Sequence, residues 1–565
     1  MILSCGCLKM LMSDPIDIEL FANRLESIVV EMGVTVVQTA HSSIFTDSRD
    51  YSVALLTPQG EILAMGQYIP HHQGAAMDAF QAVIAHHPIG AWHEGDVYLI
   101  NDPYGGGNHT ADFSLFAPAY LRGEIVLVAA CVAHHVDTGG MRPGGYAPDA
   151  TEIFQEGIRF PGVQLVAAGE ILTDILRIFT TNVRLPDQQR GDLLGQVAAL
   201  HVGVTRAQLY VESLGQARLE DLSESLLTLT ERRVRAEITE LPDGRYRAED
   251  AIEHDGITDR IFQLKAELTI QGDRAVVDFS ASDDQAAGLI NSSWSNTKAN
   301  VVASFMLFFE GIPRNAGFFR AVEVRAREGC FFRPRHPAPV GATTTEGGGR
   351  VFDLVLQALS LCRPERGVGT WTMAWIGACV DGKRPDGDRF VHWFIDGMGT
   401  GGGARANCDG WNSSNIGASN CLMPNVEVQE LASPVRFVSR SLITDSGGAG
   451  EFRGGLGIEN DIELLADCTA WVLASRTRVP PPGFAGGLPG GLAEVKVIRA
   501  SGEVEQIPAK MIGLQLRAGD RLVRRCPGGG GYGPPLARAR DAVVRDLAES
   551  YISSDAAEDI YGYRA

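Results

Sequence analysis

The amino-acid sequence predicts an α+β protein of mixed topology with more than one domain. At 565 residues the chain is longer than a single hydrophobic core usually supports. β-Hairpin patterns dominate the first third, a long helical segment follows, and the C-terminal half is rich in glycine and short strands. We therefore predict an N-terminal α+β domain over residues 14–240, a central α+β domain over 241–390, and a glycine-rich β domain with a terminal helix over 391–565.

The first residues are expected to stand apart from this organisation. Residues 1–13 contain a short apolar stretch with no basic residue before it, which argues against a signal peptide. We interpret them as an extension without ordered structure, or as the product of an upstream start codon. Asp14 and Pro15 then supply a cap and a first-turn proline to a helix predicted over Asp17–Thr39.

The next elements are predicted to be two hairpins separated by a helix. Strand patterns cover Tyr51–Leu56 and Glu61–Met65, and a helical pattern covers Ala75–His86. The stretch Asn101–Gly140 is a second hairpin pattern, with two apolar runs joined by a polar turn near Gly123. Imidazole and carboxylate groups lie at one end of each of its strands, so the hairpin is expected to bring them together.

The middle of the chain is predicted to be helical and then to change to β-structure. Residues 187–238 read as helix with a break at Gly215, and residues 246–279 alternate like strands. Further helices are predicted at Asn296–Glu310, Val351–Leu361 and Ala537–Ser550. The glycine runs beyond residue 392 are interpreted as tight turns and close packing, including packing between subunits.

Composition excludes several classes of function. The formal charge of −20 argues against binding to nucleic acid or to anionic membranes, which requires clustered Lys and Arg. No apolar run reaches the roughly 18 residues of a membrane-spanning helix. The ten cysteines are scattered without paired Cys-x-x-Cys motifs, which argues against a thiolate zinc site and favours the reduced thiols of a cytoplasmic protein.

The hairpin carries the residues of a candidate metal site. His109 and Asp112 are three residues apart, and His134 ends the second strand. Two imidazoles and one carboxylate suit zinc, manganese or iron(II), with coordination positions left for water or substrate. Asp102 and Asp137 are candidates for orienting these ligands. The alternative, which the residue types alone favour, is a set of hydrogen-bonded histidines in a polar loop.

Other motifs point away from independent nucleotide or serine chemistry. The glycine runs contain no phosphate-binding loop ending in Gly-Lys-Ser or Gly-Lys-Thr, and no dinucleotide fingerprint follows a clear strand. A Gly-x-Ser-x-Gly elbow is also absent. If the reaction consumes ATP, the nucleotide is therefore expected on another polypeptide. Glu156, just after the hairpin, is a candidate for acid–base work, although a surface carboxylate is the commoner explanation.

Several ordered motifs make the sequence similar to a known family. From about Asp14 to Tyr532 it resembles the B subunit of the hydantoinase/5-oxoprolinase family, including N-methylhydantoinase B, to which a subunit of acetone and acetophenone carboxylases is related. The stretches that carry this resemblance are Arg49–Ser52, Ile69–Gly74, Asn101–Tyr104, His134–Gly140, Gln155–Gly157, Asp445–Gly455 and Pro527–Gly533.

The resemblance implies an ATP-driven hydrolysis of a cyclic amide, such as a hydantoin, 5-oxoproline or a lactam, in a hetero-oligomer. A separate ATP-binding A subunit would phosphorylate the substrate, and a divalent metal on this chain would complete the reaction. The relatives' His-x-x-Asp pair and later histidine fall on His109, Asp112 and His134. His135 or Glu156 is then expected to move the proton.

The chain also departs from the family pattern, and two other functions stay open. Asn108, Thr110 and Ala111 differ from the usual residues around the His-x-x-Asp pair, and Asn420–Glu427 matches poorly. If that segment lines the substrate pocket, the substrate is unusual. The first alternative function is a subunit of an ATP-dependent ketone carboxylase, and the second is a non-catalytic scaffold for the A subunit.

Overall fold

The computed structural model describes residues 13–564 except positions 67, 373 and 415–418, so all but the last residue of the predicted N-terminal extension lies outside the described residues. Its helices are α1 (Pro15–Thr39), α2 (Ser43–Thr46), α3 (His71–His86), α4 (Thr173–Thr181), α5 (Pro186–Leu214), α6 (Gln216–Thr239), α7 (Trp294–Phe308), α8 (Gly317–Ala321), α9 (Gly348–Cys362), α10 (Val426–Ala432), α11 (Arg540–Ala548) and α12 (Ser554–Asp559).

The strands form mostly antiparallel sheets, which together with the helices confirm the predicted mixed α+β class. They are β1 (Tyr51–Leu56), β2 (Ile62–Met65), β3 (Val97–Ile100), β4 (Asp112–Leu121), β5 (Glu124–His134), β6 (Pro161–Ala167), β7 (Glu170–Ile171), β8 (Gly244–Glu253), β9 (Ile261–Gln271), β10 (Arg274–Asp278), β11 (Val322–Arg325), β12 (Gly377–Lys383), β13 (Arg389–Trp393), β14 (Val435–Leu442), β15 (Ile458–Leu464), β16 (Cys468–Leu473), β17 (Glu494–Ile498), β18 (Val504–Gln506), β19 (Lys510–Leu516) and β20 (Arg521–Arg525).

The sheet that carries the predicted hairpin has the strand order β2-β1-β5-β4-β3-β6-β7. The central pair β4–β5 is antiparallel, and its register places Asp112 directly opposite His134. A second sheet has the order β11-β10-β9-β8, and the C-terminal strands form sheets β13-β12-β16-β19 and β14-β15-β20-β17-β18. The hairpin therefore lies inside a sheet, flanked by β1 on one side and β3 on the other.

Local sequence signals explain the long helices. Asp14 caps α1 by accepting the backbone N–H of Ile16, and Pro15 occupies the first turn, as predicted. The apolar face of α1 is buried against the first sheet and α5. The predicted break in the helical stretch is confirmed at Gly215, whose φ of 86° ends α5 and starts α6.

Apolar packing runs across much of the chain. One cluster of buried side chains extends from Ile18 to Leu473, and another joins the two C-terminal sheets through residues such as Phe394 and Leu522. The domain boundaries near residues 240 and 390 stay predictions. Among the described helices, none combines the length and the apolar content that crossing a bilayer requires.

The glycine-rich segments bring backbone into contact with backbone. A Cβ on Gly455 would lie 1.9 Å from the carbonyl oxygen of Trp411, and one on Gly529 would lie 2.0 Å from that of Gly402. Backbone hydrogen bonds join these segments, with the N–H of Gly455 donating to Gly402 at 2.8 Å. Glycine is thus required at these positions for packing within the chain, because a side chain would push the adjoining backbone segments apart.

Candidate metal centre

Three polar side chains meet at the end of the β4–β5 hairpin. β4 begins at Asp112 and β5 ends at His134, and these two residues are cross-strand partners. His109 lies in the turn before β4, held by a hydrogen bond from the N–H of Asp112 to its carbonyl. All three side chains are buried. The hairpin therefore brings together His109, Asp112 and His134, as the sequence predicts.

The ligand atoms of these three residues surround a common point. Nε2 of His109 lies 2.9 Å from Oδ1 of Asp112, and Nδ1 of His134 lies 3.2 Å from both of those atoms. Ligands of a tetrahedral ion with bonds of about 2.1 Å are separated by roughly 3.4 Å. The spacing of the three donors is close to that value, so the set fits a divalent cation.

The hydrogen bonding of His109 is compatible with a bound ion. Nδ1 of His109 lies 2.8 Å from the carbonyl oxygen of Gly341, which only accepts, so Nδ1 carries the proton. In a neutral ring Nε2 then directs its lone pair toward the carboxylate of Asp112. Two lone pairs at this distance repel each other unless a proton or a metal ion lies between them.

Electrostatics at the cluster are those of a charged pair in a buried site. Burial opposes charge on His109, but the Asp112 carboxylate outweighs it and raises the pKa of the imidazole. Burial likewise opposes charge on Asp112, but His109 and His72 hold the pKa of that carboxyl well below its usual range. Asp112 thus stays ionised and offers a negative charge to a cation.

Further groups complete the surroundings of Asp112. Its Oδ2 accepts a hydrogen bond from Nδ2 of Asn108 at 3.0 Å and lies 3.3 Å from Nε2 of His72. Asp50 lies 3.9 Å from the same nitrogen of His72. Nε2 of His134 is buried and has no hydrogen-bond partner among the described residues. Both carboxylate oxygens of Asp112 are therefore engaged, each with a different set of side chains.

Sequence reasoning did not assign His71, His72 or Asp50 to the site. His71 and His72 open α3, and their ligand atoms group with that of Asp112 within 4.8 Å. A signal was present, since both the Arg49–Ser52 and the Ile69–Gly74 stretches are among the motifs of the family resemblance. Their spacing from His109 gave no indication that they lie beside it.

A small cavity opens beside the cluster and has aromatic walls. Its volume is about 20 Å³, enough for an ion or one water molecule. Trp393 stacks on Trp375 with ring centres 5.1 Å apart and meets the ring of His134 edge-on at 5.3 Å. The described residues that line this cavity are Asp50, His71, His72, Asp112, His134, Tyr146, Thr344, Thr345, Trp393, Ile395, Met398, Ser419 and Cys421.

Two threonines and a tyrosine, each with a hydroxyl group, also line this cavity. Thr344 and Thr345 come from a single π-helical turn, Thr343–Gly347, a conformation that is rare and frequent at functional sites. The hydroxyls of Tyr146 and Thr344 lie 3.3 Å apart. Burial raises the pKa of Tyr146, so its phenol stays protonated and can donate a hydrogen bond.

His135 lies on the opposite side of the strand from the cavity. Its Nε2 lies 2.9 Å from Oε1 of Gln196, and its Nδ1 lies 2.8 Å from Oε1 of Gln189. Phe113 packs against the ring at 4.3 Å. Burial lowers the pKa of His135, which favours the neutral ring. The structure does not bring His135 to the three-residue cluster, and its role as a proton carrier stays a prediction.

Glu156 does not line the cavity but contacts the loop that orients His109. Its carboxylate accepts the N–H groups of Val340 and Gly341 at 3.0 and 2.7 Å. Burial raises its pKa to about 8, against these two donors, which favour the charged form. Because the carbonyl of Gly341 accepts from His109, Glu156 fixes the loop that orients that ligand. Its predicted acid–base role is not tested by these contacts.

Asp102 and Asp137 shape the turns on either side of the hairpin. Asp102 accepts the N–H of Tyr104 at 3.0 Å, within the turn that leads to His109. Asp137 accepts from the guanidinium of Arg184 at 3.0 Å and from the N–H of Gly144. Burial raises the pKa of Asp137 despite Arg184. Both carboxylates are thus committed to backbone segments near the ligands, and no hydrogen bond joins them to the cluster within the described residues.

The chain matches a known protein family over most of its length. The family model described as hydantoinase B/oxoprolinase matches residues 14–535. The chain belongs to the hydantoinase B/oxoprolinase family. Within that family it is 33% identical over 560 residues to caprolactamase subunit beta of Pseudomonas jessenii, covering 97% of this chain and 96% of the relative. It is also 26% identical to 5-oxoprolinase of Dictyostelium discoideum, covering 94% of this chain but 41% of that protein.

Two solved structures have a fold similar to that of this chain. The crystal structure of ATP-dependent caprolactamase from Pseudomonas jessenii matches with a TM-score of 0.91 at 31% identity, covering 97% of this chain and 96% of that one. A nucleotide-free acetone carboxylase structure matches with a TM-score of 0.87 at 20% identity, covering 97% of this chain and 79% of that one. The second likeness concerns the fold alone.

Proposed function

We propose that this chain is the metal-carrying B subunit of an ATP-dependent hydrolase of cyclic amides. The observation that carries the proposal is the buried set of His109, Asp112 and His134, whose donor atoms converge at 2.9–3.2 Å. Membership of the hydantoinase B/oxoprolinase family and the 33% identity to a caprolactamase subunit support the reaction class. The ion would be zinc, manganese or iron(II), which accept imidazole and carboxylate ligands.

Each side chain of the site has a separate task in this reaction. A divalent ion bound here would polarise the amide carbonyl and supply an activated water. Asp112 holds negative charge at the ion, and Asn108 fixes its second oxygen through a hydrogen bond. His109 is oriented by the carbonyl of Gly341. The phenol of Tyr146 donates a hydrogen bond within the cavity, where a carbonyl oxygen can accept it.

The aromatic walls favour a neutral ring as substrate. Trp393 and Tyr146 present apolar faces beside His134, and such faces pack well against methylene groups. None of the described cavity-lining residues is Lys or Arg. A carboxylate such as that of 5-oxoproline would find no Lys or Arg side chain to pair with among them. The preferred substrate is thus a lactam or a hydantoin, and the wall side chains must move to admit it, since the cavity as it stands holds only an ion or a water.

ATP use is assigned to a separate A subunit. Caprolactamase of Pseudomonas jessenii has a subunit called beta, which implies at least one other subunit in that enzyme. This chain spans only 41% of the Dictyostelium 5-oxoprolinase, so that protein carries a further portion on the same polypeptide. We infer that in the present case a second polypeptide supplies that portion and activates the amide by phosphorylation, within a cytoplasmic hetero-oligomer.

The proposal is tested on the chain co-expressed with its ATP-binding partner. ATP turnover and ring opening are measured with ε-caprolactam, hydantoin, 5-oxoproline, and a ketone with bicarbonate. The proposal predicts turnover with a lactam or hydantoin, and its loss in Asp112→Asn but not in His86→Ala, which alters an exposed histidine on α3. Turnover only with ketone and bicarbonate would assign the chain to the carboxylases. Full turnover by the metal-free complex would favour a non-catalytic scaffold role for this chain.

A further inference from the structure

We propose that Glu346 is a positioning residue of the proposed reaction. Through an ion pair with Lys510 it holds in place the turn that presents hydroxyl groups to the cavity. Glu346 is not among the described residues that line this cavity, so it acts through its neighbours. The inference rests on the proposed function, because the substrate is expected in the same cavity.

The π-helical turn before α9 has a fixed point on each side of its two cavity-lining threonines. It begins at Thr343, whose hydroxyl oxygen accepts the N–H of Ser293 at 2.8 Å. The next two residues line the cavity, and the first of them, Thr344, lies 3.3 Å from the phenol oxygen of Tyr146. Glu346 follows directly, with its side chain fully buried. A shift at Glu346 is therefore passed along the backbone to both threonines.

The carboxylate of Glu346 has a cation beside it but no hydrogen bond. Nζ of Lys510, on β19, lies 3.6 Å from Oε2 of Glu346, and both side chains are buried. Lys510 donates to the carbonyl of Ala474 at 2.8 Å and to that of Glu253 at 3.4 Å, which fixes its ammonium group. Neither carboxylate oxygen of Glu346 has a hydrogen-bond partner among the described residues. Because a buried carboxylate without hydrogen bonds is costly, the attraction of Lys510 is needed to keep it there.

The ion pair joins two walls of the cavity. Lys510 belongs to the sheet β13-β12-β16-β19, whose strand β13 ends at Trp393. Trp393 is an aromatic lining residue, while Glu346 belongs to the turn that supplies the threonine hydroxyls. The pair therefore sets the distance between the aromatic wall and the hydroxyl wall, where the substrate ring has to fit.

Charge balance does not explain a carboxylate at position 346. The ion pair belongs to a buried cluster in which Arg476 donates to Asp250 at 2.8 and 2.7 Å. The cluster contains four carboxylates and three cations: Asp250, Glu253, Glu346, Asp353, Arg350, Arg476 and Lys510. Glutamine in place of Glu346 would leave three of each. One buried carboxylate is thus in excess, which points to a role other than stability.

The test compares Glu346→Gln, Lys510→Met and the double variant with the wild type. Glu328→Gln, which alters a carboxylate whose side chain is 65% exposed, is the matched control. Hydrogen exchange measured by mass spectrometry follows the backbone N–H groups of residues 343–347 in the full-length chain. Denaturant unfolding, metal content and, with the ATP-binding partner, kcat and KM for a lactam or hydantoin are measured on the same proteins.

A positioning role predicts faster exchange in this turn for Glu346→Gln, with the free energy of unfolding and the metal content kept. kcat should fall roughly 10- to 100-fold while KM stays close to the wild-type value, since small displacements of groups at a reacting centre cost this much. Lys510→Met should also lower kcat, yet the double variant should be no slower than the slower single variant, because both substitutions break the same contact. Glu328→Gln should match the wild type in every measurement.

Wild-type exchange in the turn of Glu346→Gln would overturn the inference, and so would an unchanged kcat. Effects on kcat that multiply in the double variant, or loss of metal from Glu346→Gln, would also overturn it, because the carboxylate would then act independently of Lys510 or through the ion. If the wild-type complex opened none of these rings, the proposed function would fail, and hydrogen exchange alone would decide whether Glu346 fixes the turn.

Discussion

His134 ends β5 and His135 follows it directly, yet their side chains lie in opposite environments. His134 faces the cavity, where its Nδ1 is 3.2 Å from the Asp112 carboxylate. His135 faces α5, where Gln189 and Gln196 engage both ring nitrogens. Successive side chains of an extended chain point to opposite faces, so one step along the chain separates an imidazole beside the carboxylate of Asp112 from one that contacts two glutamine amides.

The same alternation occurs where β13 ends. Trp393 lines the cavity and packs against His134, whereas its neighbour His392 is buried on the other face against Phe394. Each strand thus has a cavity side, which carries groups for chemistry, and a packing side, which carries groups for stability. We therefore expect substitutions on the cavity side to reduce activity and substitutions on the packing side to reduce stability.

The largest effect is expected on the cavity side from Asp112→Asn. The substitution removes the negative charge at the centre of the donor set while keeping its shape. Since a catalytic metal supplies several kcal/mol of transition-state stabilisation, ring opening by the complex should fall by more than about 1,000-fold. Steady-state kinetics measure the loss, and an unchanged unfolding temperature shows that the fold is kept. A variant within tenfold of wild type would contradict the assignment of Asp112.

A smaller loss is expected from Glu156→Gln, which acts through the loop behind the ligands. The N–H groups of Val340 and Gly341 donate to different oxygens of Glu156, and glutamine replaces one of these oxygens by an NH2 donor, so the carbonyl that orients His109 loses its fixed position. Metal affinity should fall roughly 10- to 100-fold, as for other groups that orient ligands. A metal-binding titration measures this change, with the exposed Glu170→Gln as control. Unchanged affinity together with lost turnover would favour the acid–base role of Glu156.

On the packing side, His135→Leu should reduce stability and leave the metal in place. The substitution leaves the buried amides of Gln189 and Gln196 without their partner, which costs about 2 kcal/mol. Denaturant unfolding measures the free energy of unfolding, and metal analysis of the same sample should match the wild type. If stability and metal content were unchanged but turnover failed, His135 would carry a proton as the sequence suggested.

The last effect, at His392, develops gradually with pH. Burial lowers the pKa of His392 to about 4 in the folded chain, below its value of about 6.5 when unfolded. The unfolded state therefore binds a proton first as the pH falls, and stability is lost between pH 6.5 and 4. Relative to His392→Gln, the wild type should lose about 1 kcal/mol per pH unit in this range. Unfolding free energies measured across it check this slope, and parallel curves would contradict the argument.

Much of the fold could be predicted because its signals are local. The apolar spacing of α1, the Asp14 cap and the break at Gly215 depend on neighbours in the sequence. The hairpin also placed His109 and Asp112 near His134, since a single turn joins its strands. Roles for these three side chains came from the family resemblance, because their spacing alone left a hydrogen-bonded loop as the better explanation.

The rest of the site could not be predicted because distant pairing assembles it. Asp50 reaches the cluster since β1 pairs with β5, and the N–H of His134 donates to the Asp50 carbonyl at 3.0 Å. Trp393 arrives from a different sheet and Thr344 from a π-helical turn. Nothing in the spacing of these residues along the chain specifies such contacts. The burial of Glu156 could not be predicted from the sequence either, because it depends on contacts with the distant loop at Val340 and Gly341.

The metal site is tested most directly by the metal content of three proteins purified side by side without chelator: the wild type, Asp112→Asn and His135→Leu. We expect at least one tightly bound divalent ion per wild-type chain and the same content in His135→Leu. In Asp112→Asn we expect a content below about a tenth of the wild-type value, since the central ligand is lost. A metal-free wild type that still opens the ring with its partner, or an Asp112→Asn variant with full metal content, would contradict the proposed metal site.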